Sequence, residues 1–417
     1  MNRTDMLKDD VLYKQAFARD LPAAKGRENA TPKYNFATGH NDPEAIPSVA
    51  LAEAAAAVLR REGKSLALYN LGGSALGYRG LREVVAEKLR KYRGIACSAD
   101  DVLITTGSLQ GIDFVNQLLL DRGDTVIVEQ FTYIAVIGKL KTMGVEAIPA
   151  PLDAGGIDMA RLEDILAGLA AEGRRPKYIY TIPTVQNPTG SVLDMERRRR
   201  LTDLALKFQT PIFEDECYAD LIWAGEAPPS LYSMAPDNVI HIGSFSKTLA
   251  PALRVGYLVA PWEALGQILA LKSDGGTGAL DQMVVAEYFR EHFHTHIEML
   301  TARLKRKLDV LLEALDREFG TLVEITVPVG GLFAWLKFPD DIDVRTLSKP
   351  AAELGVAFNP GNEWSVRAED GLHHIRVCFG LTTEGEIEEG IAALARACFR
   401  ATGRPASSSN IVNAALA

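Results

Sequence analysis

The chain has few of the features that mark disulfide-rich, metal-binding or membrane proteins. Only four of its 417 residues are cysteines, and these lie far apart, at positions 97, 217, 378 and 398, without a CxxC pair. Neither a disulfide framework nor a zinc site is therefore predicted. The first 35 residues contain no continuous apolar stretch that could serve as a signal peptide or a membrane span. We predict a cytoplasmic protein without a membrane partner.

Positive charge is also in short supply. The chain has 45 Lys and Arg against 54 Asp and Glu, which gives a net charge of -9. Binding to nucleic-acid phosphates needs a surplus of basic side chains on one face, so no nucleic-acid partner is expected. With 47% hydrophobic residues, the chain can bury a large core and divide into more than one domain. A small-molecule substrate fits this composition better.

Metal and dinucleotide sites are not predicted either. His292, His294 and His296 alternate as ligands sometimes do, but the surrounding pattern is helical and no cysteine or carboxylate motif accompanies them. The glycine-rich segment 72–80 lacks the strand-then-helix context of a dinucleotide fingerprint.

From about Asp101, short β-rich runs alternate with amphipathic stretches. The predicted strands are 102–106, 125–129, 178–182, 211–215, 239–244 and 256–260, and the predicted helices are 110–120, 134–143 and 195–208. This βαβ rhythm predicts an α/β fold with a mostly parallel central sheet flanked by helices.

The pattern changes after Pro261. Helical segments at 263–273 and 282–319 precede apolar runs at 322–327, 331–338 and 374–379, which predict a smaller α+β domain. We place the boundary near residue 285. The predicted units are an N-terminal segment (1–47) packing on the small domain, a large domain (48–285), a small C-terminal domain (286–400) and a flexible tail (401–417).

The strongest chemical signal is the sequence SFSK at 244–247, which follows an apolar run and precedes Arg254. A lysine just past a strand end, between hydroxyls and an arginine, suits an aldehyde cofactor that carries a phosphate. Lys247 would form the imine, while Ser244, Ser246 and Arg254 would hold the phosphate. Taken alone, the segment is equally well explained as a solvated loop.

Two further motifs lie at predicted carboxyl ends of strands, where open α/β sheets bind ligands. Residues 183–190 read PTVQNPTG, and residues 213–218 read FEDECY. A buried Asp215 beside a pyridine nitrogen would keep that nitrogen protonated, so that the ring withdraws electrons from a substrate carbanion. Asn187 and Tyr218 can hydrogen-bond the phenolic oxygen of the ring. Judged singly, they are better explained as a turn asparagine and a core tyrosine.

In this order the motifs resemble class I and II aminotransferases of fold type I, which use pyridoxal 5′-phosphate (PLP); the resemblance spans about residues 36–395. Their wording is closest to the group that contains aminoadipate and kynurenine aminotransferases and regulator-associated modules. The resemblance implies a homodimer with shared active sites. It implies that Lys247, Asp215 and Tyr218 are catalytic, that Asn187 contacts both cofactor and substrate, and that Arg254 is a phosphate ligand.

The resemblance also assigns residues outside these motifs. Ser108, Leu109 and Gln110 lie at a helix start, where backbone N–H groups and the serine hydroxyl form an anion site for the cofactor phosphate. The family usually has a small or polar residue at Leu109, but the contacts there come largely from the backbone. Tyr133 matches the aromatic residue that stacks on the cofactor ring. Tyr69 resembles the tyrosine that reaches the phosphate of the neighbouring subunit.

Two residues match the substrate-binding positions of the family. Arg376 corresponds to the arginine that pairs with the substrate α-carboxylate, which a planar guanidinium can bind through two hydrogen bonds. Without the resemblance, it could be an arginine on a surface strand. Gly39 corresponds to a small residue that passes close to the substrate, where a side chain would obstruct it.

The implied function is transfer of the amino group of a 2-amino acid to a 2-oxo acid by a ping-pong mechanism through pyridoxamine phosphate. Elimination, decarboxylation and oxidative deamination remain alternatives, because the same residues serve all of these PLP reactions. A remote alternative is a non-catalytic PLP-binding regulatory module. Only about 35 residues precede the matching region, however, too few for a DNA-binding domain.

Overall fold

The computed structural model of the chain describes residues 16–17 and 31–404. Its α-helices are α1 Ser48–Glu62, α2 Arg79–Arg93, α3 Ser108–Leu119, α4 Ile134–Met143, α5 Met159–Ala171, α6 Met195–Lys207, α7 Leu231–Met234, α8 Trp262–Leu271, α9 Ala279–Phe319, α10 Ser348–Glu353 and α11 Glu384–Thr402. The predicted tail overlaps the end of α11, and its residues 405–417 lie outside the described residues.

The β-strands fall into one large and three smaller sheets. They are β1 Tyr34–Asn35, β2 Val102–Thr105, β3 Thr125–Glu129, β4 Glu146–Ala150, β5 Leu152–Asp153, β6 Gly156–Ile157, β7 Ile179–Thr181, β8 Ile212–Asp215, β9 Val239–Ser244, β10 Gly256–Val259, β11 Glu324–Ile325, β12 Phe333–Lys337, β13 Val356–Ala357, β14 Asn359–Pro360 and β15 His374–Cys378.

The central sheet has seven strands in the order β2-β10-β9-β8-β7-β3-β4. All neighbours are parallel except β10, which is antiparallel to both β2 and β9. The α/β class and the mostly parallel sheet are thus confirmed. Because helices cover both faces, the inner strands are continuous apolar runs, as in β3, where Val126, Ile127 and Val128 are fully buried.

The edge strand β4 was not among the predicted strands. It contains Pro149, which cannot donate a backbone hydrogen bond, and it pairs with β3 alone. A proline is tolerated on such an edge because one side of the strand needs no sheet partner. The predicted strand at 322–327 is mostly irregular, with only Glu324–Ile325 paired to β12.

The four-stranded sheet has the antiparallel order β11-β12-β15-β14, and its buried residues Leu336 and Ile375 belong to the same hydrophobic cluster as buried residues of α9 and α11. The N-terminal strand β1 pairs in parallel with β13. Residue 285 lies inside α9, a continuous helix that contacts α1 and α2 as well as α11. The chain therefore passes from one part of the molecule to the other within a helix, and the proposed division into domains stays a prediction.

The topology brings the predicted site residues to one edge of the central sheet. Parallel strands β3, β7, β8 and β9 end there. Asp215 is the last residue of β8, and the loops that follow β3, β7 and β9 carry Tyr133, Asn187 and Lys247. The amino end of α3, which begins at Ser108, also lies at this edge, after β2. None of the helices within residues 31–404 combines the length and apolar character needed to cross a bilayer.

Candidate active site

A cavity of about 310 Å³ opens at this edge. The predicted residues that line it are Gly39, Ser108, Leu109, Tyr133, Asn187, Asp215, Tyr218, Ser244, Ser246, Lys247, Arg254 and Arg376. The lining residues that were not predicted are Ala37, His40, Ile134, Ile182, Cys217, Pro251, Asn359 and Trp364. The cavity is of the size that small-molecule and cofactor sites have.

Lys247 follows strand β9 and points its amine into the cavity. Its Nζ donates to the carbonyl oxygen of Gly39 at 2.6 Å. Burial lowers the pKa of the Lys247 amine, and the positive charges of Arg376 and Arg254 act in the same direction. A lysine with a lowered pKa is more often neutral, and the neutral amine is the nucleophile that attacks an aldehyde.

Asp215 is the buried last residue of β8. Its Oδ2 accepts a hydrogen bond from the Tyr180 hydroxyl at 2.8 Å, and its Oδ1 accepts one from the Cys217 backbone N–H at 3.2 Å. Burial raises the pKa of the carboxyl, although these hydrogen bonds oppose the shift. A buried carboxylate without a cationic partner is suited to pair with a positively charged N–H group of a ligand.

Arg376 lies on β15 and faces three neutral acceptors. It donates to Asn187 Oδ1 at 2.9 Å, to Asn359 Oδ1 at 2.8 Å and to the carbonyl oxygen of Ala37 at 2.9 Å. The guanidinium carbon lies 3.9 Å from the centre of the Trp364 ring, and Arg376 Nε is buried without a partner. The guanidinium is held in position while its charge remains unpaired.

Asn187 links this arginine to Tyr218. Its side-chain oxygen accepts from Arg376, and its Nδ2 donates to the Tyr218 hydroxyl at 3.2 Å. Asn187 therefore contacts Arg376, which the sequence predicts to bind the substrate, and Tyr218, which it predicts to bind the cofactor.

An anion cradle lies where α3 begins. Gly107, with φ 74°, precedes Ser108, and a Cβ at this glycine would collide with the Arg254 guanidinium. Arg254 has a left-handed backbone (φ 54°) and donates to the carbonyl oxygen of Pro251 at 3.0 Å and to Ser246 Oγ at 3.5 Å. Helix N–H groups, hydroxyls and a guanidinium that converge in this way can hold a phosphate dianion.

Two predicted residues do not line the cavity. The Gln110 side chain accepts from the Thr106 backbone N–H at 2.8 Å and donates to Asp274 at 2.5 Å. Tyr69 is 87% exposed, with Gly275 close to its ring. Within one subunit, neither side chain reaches the anion cradle.

Glu129 at the end of β3 supports the loops that carry Tyr133 and Asn187. It accepts hydrogen bonds from the Thr181 hydroxyl at 2.7 Å and from Gln186 Nε2 at 2.8 Å. The same nitrogen of Gln186 lies 2.7 Å from the carbonyl oxygen of Phe131. Burial raises the pKa of the Glu129 carboxyl to about 7.

A buried ion pair supports the other side of Asp215. Glu216 accepts from Arg93 at 2.8 Å and from the Thr184 hydroxyl at 2.8 Å. Thr184 begins the loop that carries Asn187, so this cluster ties that loop to the end of β8. The tie fixes the distance between Asn187 and Asp215 across the cavity.

Residues 31–394 match the family described as aminotransferase class I and II. The chain belongs to this family. It is similar to the 2-aminoadipate transaminase of Thermus thermophilus, with 34% identity over 87% of this chain and 89% of that protein. It is also similar to aromatic-amino-acid aminotransferase 1 of Thermococcus litoralis, with 32% identity over 87% of each chain.

A solved structure agrees with these matches. The alpha-aminoadipate aminotransferase of Thermus thermophilus, complexed with N-(5′-phosphopyridoxyl)-L-leucine, aligns with a TM-score of 0.82 and 34% identity over 89% of this chain and 93% of that one. The family, the PLP fold type I, the PLP cofactor and the aminotransferase activity predicted from the sequence are confirmed. The protein is a PLP-dependent aminotransferase, whose substrates are amino acids and 2-oxo acids.

The residues of this chain fit the cofactor. Arg254 can lie at the anion cradle because Gly107 has no Cβ to collide with it. The described hydrogen-bond partners of the buried Asp215 are neutral, so a protonated ring nitrogen would supply its cationic partner. Among the described residues, no three His, Cys, Asp or Glu side chains are grouped so as to hold a metal ion.

Four of the unpredicted lining residues deserve a physical explanation. Asn359 lies on β14, where it pairs with Arg376 of β15, and Trp364 follows the helical turn 361–363, so only the fold brings this segment to Arg376. Cys217 lies between the predicted Asp215 and Tyr218, and His40 follows the predicted Gly39. Cys217 and His40 could have been found from the sequence because they adjoin predicted site residues. No comparable signal in the sequence pointed to Asn359 and Trp364.

Proposed function

We propose that Lys247, Asp215 and Tyr218 carry the catalysis of this aminotransferase, and that the amino acid and the 2-oxo acid occupy the same cavity in turn. The main support is the partly desolvated Lys247 amine, 2.6 Å from Gly39 O, in a cavity that also holds the anion cradle and Arg376. When bound, PLP supplies the aldehyde that accepts the amino group and a ring that withdraws electrons from the substrate Cα.

The residues that would hold PLP surround the cavity. The phosphate would lie against Ser108, the Leu109 backbone, Ser244, Ser246 and Arg254. Gln110 belongs to the same helix start, where it fixes the Thr106 backbone. Tyr133 would stack on the ring, which fixes its plane.

Three side chains would contact polar atoms of the ring. Asp215 would bind the ring nitrogen and keep it protonated, since a nearby opposite charge stabilises both charged forms. Asn187 and Tyr218, already linked at 3.2 Å, would hydrogen-bond the phenolic oxygen.

Arg376 would bind the substrate α-carboxylate. Its described hydrogen-bond partners are neutral, so an incoming carboxylate meets an uncompensated positive charge. Two parallel hydrogen bonds would fix the orientation of the Cα–H bond. Gly39 leaves room beside the amine of Lys247, which would move the Cα proton, and the lowered pKa of that amine favours this role.

The active form would be a homodimer. Tyr69 is exposed and lies in a segment whose next residues, Asn70 and Leu71, have left-handed backbones (φ 52° and 56°). Such a constrained, exposed tyrosine suits a contact with the phosphate site of a second subunit. The cytoplasmic location stays a prediction.

The test is the visible absorption of the purified holoenzyme with a panel of amino acids, alongside Lys247→Ala. The panel contains 2-aminoadipate, glutamate, phenylalanine and leucine, with 2-oxoglutarate as the expected acceptor. We expect the cofactor band to disappear with some amino acids, to leave pyridoxamine phosphate, and to return with a 2-oxo acid. Ammonia release without an acceptor would instead identify elimination or oxidative deamination. Normal absorption and turnover in Lys247→Ala would overturn the assignment.

A further inference from the structure

Two titratable side chains in the cavity have no role in the proposed function, His40 and the buried Cys217. His40 lines the cavity next to Gly39, whose carbonyl oxygen accepts from Lys247. The other ionisable lining groups are assigned to the cofactor or the α-carboxylate, except the buried thiol of Cys217.

The backbone of His40 is fixed on both sides. Asn41 Nδ2 donates to the carbonyl oxygens of Ser246 and Leu249, at 3.4 and 3.1 Å, and so ties this segment to the loop that carries Lys247. Asp42 lies 2.6 Å from Arg303 and 3.1 Å from Lys307 on α9.

The His40 carbonyl is also packed tightly. It leaves no room for a side chain at Gly380, where a Cβ would lie 2.5 Å from the His40 oxygen. The position of His40 relative to the reacting amine is therefore set by the fold.

The side chain, in contrast, has no partner. Within residues 31–404, the His40 ring makes no hydrogen bond or ion pair, and it is exposed. Partial burial and then the charge of Lys247 lower the pKa of the imidazole, which favours the neutral ring. A neutral imidazole still has one N–H donor and one acceptor nitrogen.

We propose that His40 recognises the side chain of the substrate and favours amino acids and oxo acids that carry a second carboxylate. This inference rests on the proposed function, because Arg376 must hold the α-carboxylate before the side chain is presented. With the phosphate on Arg254 and the α-carboxylate on Arg376, His40 offers the cavity an N–H donor that neither of these ligand groups uses.

Two apolar lining residues explain why we expect a preference for a second carboxylate and not an absolute requirement. Ile134 and Trp364 offer apolar surface, which accepts an aliphatic or aromatic side chain without a hydrogen bond. The N–H donor of His40 adds a hydrogen bond for a substrate that carries a second carboxylate and none for an aliphatic side chain. We expect a preference of about tenfold.

The experiment compares His40→Leu and His40→Gln with the wild-type holoenzyme. Leucine keeps the bulk and removes the donor, while glutamine keeps a donor that cannot titrate. His294→Leu is the matched control, since His294 is an exposed histidine on α9 whose ion-pair contact is Glu298, one turn along the same helix. The readouts are kcat/KM for glutamate, 2-aminoadipate and leucine, and calorimetric binding of two unreactive acids, glutarate and 4-methylpentanoate.

We expect His40→Leu to lower the ratio of kcat/KM for glutamate over leucine by about tenfold, and to weaken glutarate binding by the same factor relative to 4-methylpentanoate. His40→Gln should recover most of the ratio, and His294→Leu should not change it. An equal loss for both classes, or an unchanged ratio, overturns the inference. If no amino acid reacts with wild type, the proposed function fails, but glutarate binding still decides the role of His40.

Discussion

The two sides of the cavity are built differently. On the cofactor side, polar residues at the ends of β-strands have partners in the protein, as Asp215 has in Tyr180 and Glu129 in Gln186. On the substrate side, two buried polar atoms of lining residues have no partner among the described residues, Trp364 Nε1 and Arg376 Nε. The first side is organised before any ligand arrives, whereas the second keeps hydrogen-bonding capacity for a ligand that changes between half-reactions.

The largest effect is expected on the cofactor side, from Asp215→Asn. Asparagine keeps the size of the side chain and one of the two acceptor oxygens but carries no charge to keep a ring nitrogen protonated, so kcat should fall by about 10²–10³-fold. Tyr180→Phe is the control, because it removes one hydrogen bond to Asp215 and leaves the charge. Steady-state kinetics would contradict the assignment if both variants lost activity to the same small extent.

The next effect concerns stability, through Glu129. Its pKa is raised by burial from 4.5 to about 7, so the folded protein binds the proton more tightly than the unfolded chain. The resulting stability is present at low pH and is lost as the pH rises through about 7, which amounts to about 3 kcal/mol.

Urea unfolding of wild type and Glu129→Gln measures this effect. The free energy of unfolding of wild type, relative to the variant, should fall between about pH 5 and about pH 8. A difference that does not depend on pH would show that Glu129 stays in one protonation state.

On the substrate side, Arg376→Lys should lower kcat/KM for every amino acid by about 10- to 100-fold. Lysine keeps the charge but loses the two parallel hydrogen bonds, at roughly 1.5–3 kcal/mol. The cofactor spectrum should be unchanged, because Arg376 does not lie in the anion cradle. A changed spectrum with normal kcat/KM would show that Arg376 contacts the cofactor and not the substrate.

The smallest effect is expected from Trp364→Phe. The indole lies over the Arg376 guanidinium at 3.9 Å, and a phenyl ring provides a weaker cation–π contact. The loss of about 0.5–1 kcal/mol should raise KM for amino acids about two- to fivefold and leave kcat nearly constant. A fall in kcat of similar size would mean that Trp364 acts on the reacting groups.

The sequence was most informative where local pattern and global fold agree. The runs Thr125–Glu129 and Val239–Ser244 are strands with the predicted bounds, because apolar β-formers are followed there by polar loop residues. Chemically active residues at strand ends could then be ordered along one edge of the sheet. This is why Asp215 and Lys247 could be predicted from the sequence as neighbours at that edge.

Other features depend on contacts that no local pattern contains. Asn359 reaches Arg376 because β14 pairs with β15, Trp364 follows in the same segment, and Tyr69 does not line the cavity of its own subunit. The boundary near residue 285 stays a prediction, because helical periodicity does not show which neighbours a helix has. The edge strand β4 was missed because it contains Pro149. A proline is tolerated there because one side of the strand has no sheet partner, which the sequence does not show.

Helix α9 has a mechanical consequence. Its 41 residues form a rod about 60 Å long, so a tilt of about one degree at one end moves the other by about 1 Å. Asp42 forms ion pairs with Arg303 and Lys307 of this helix, and His40 lies two residues before Asp42 in the sequence. A tilt of this helix would therefore move Asp42 and, with it, the segment that carries His40 beside the cavity.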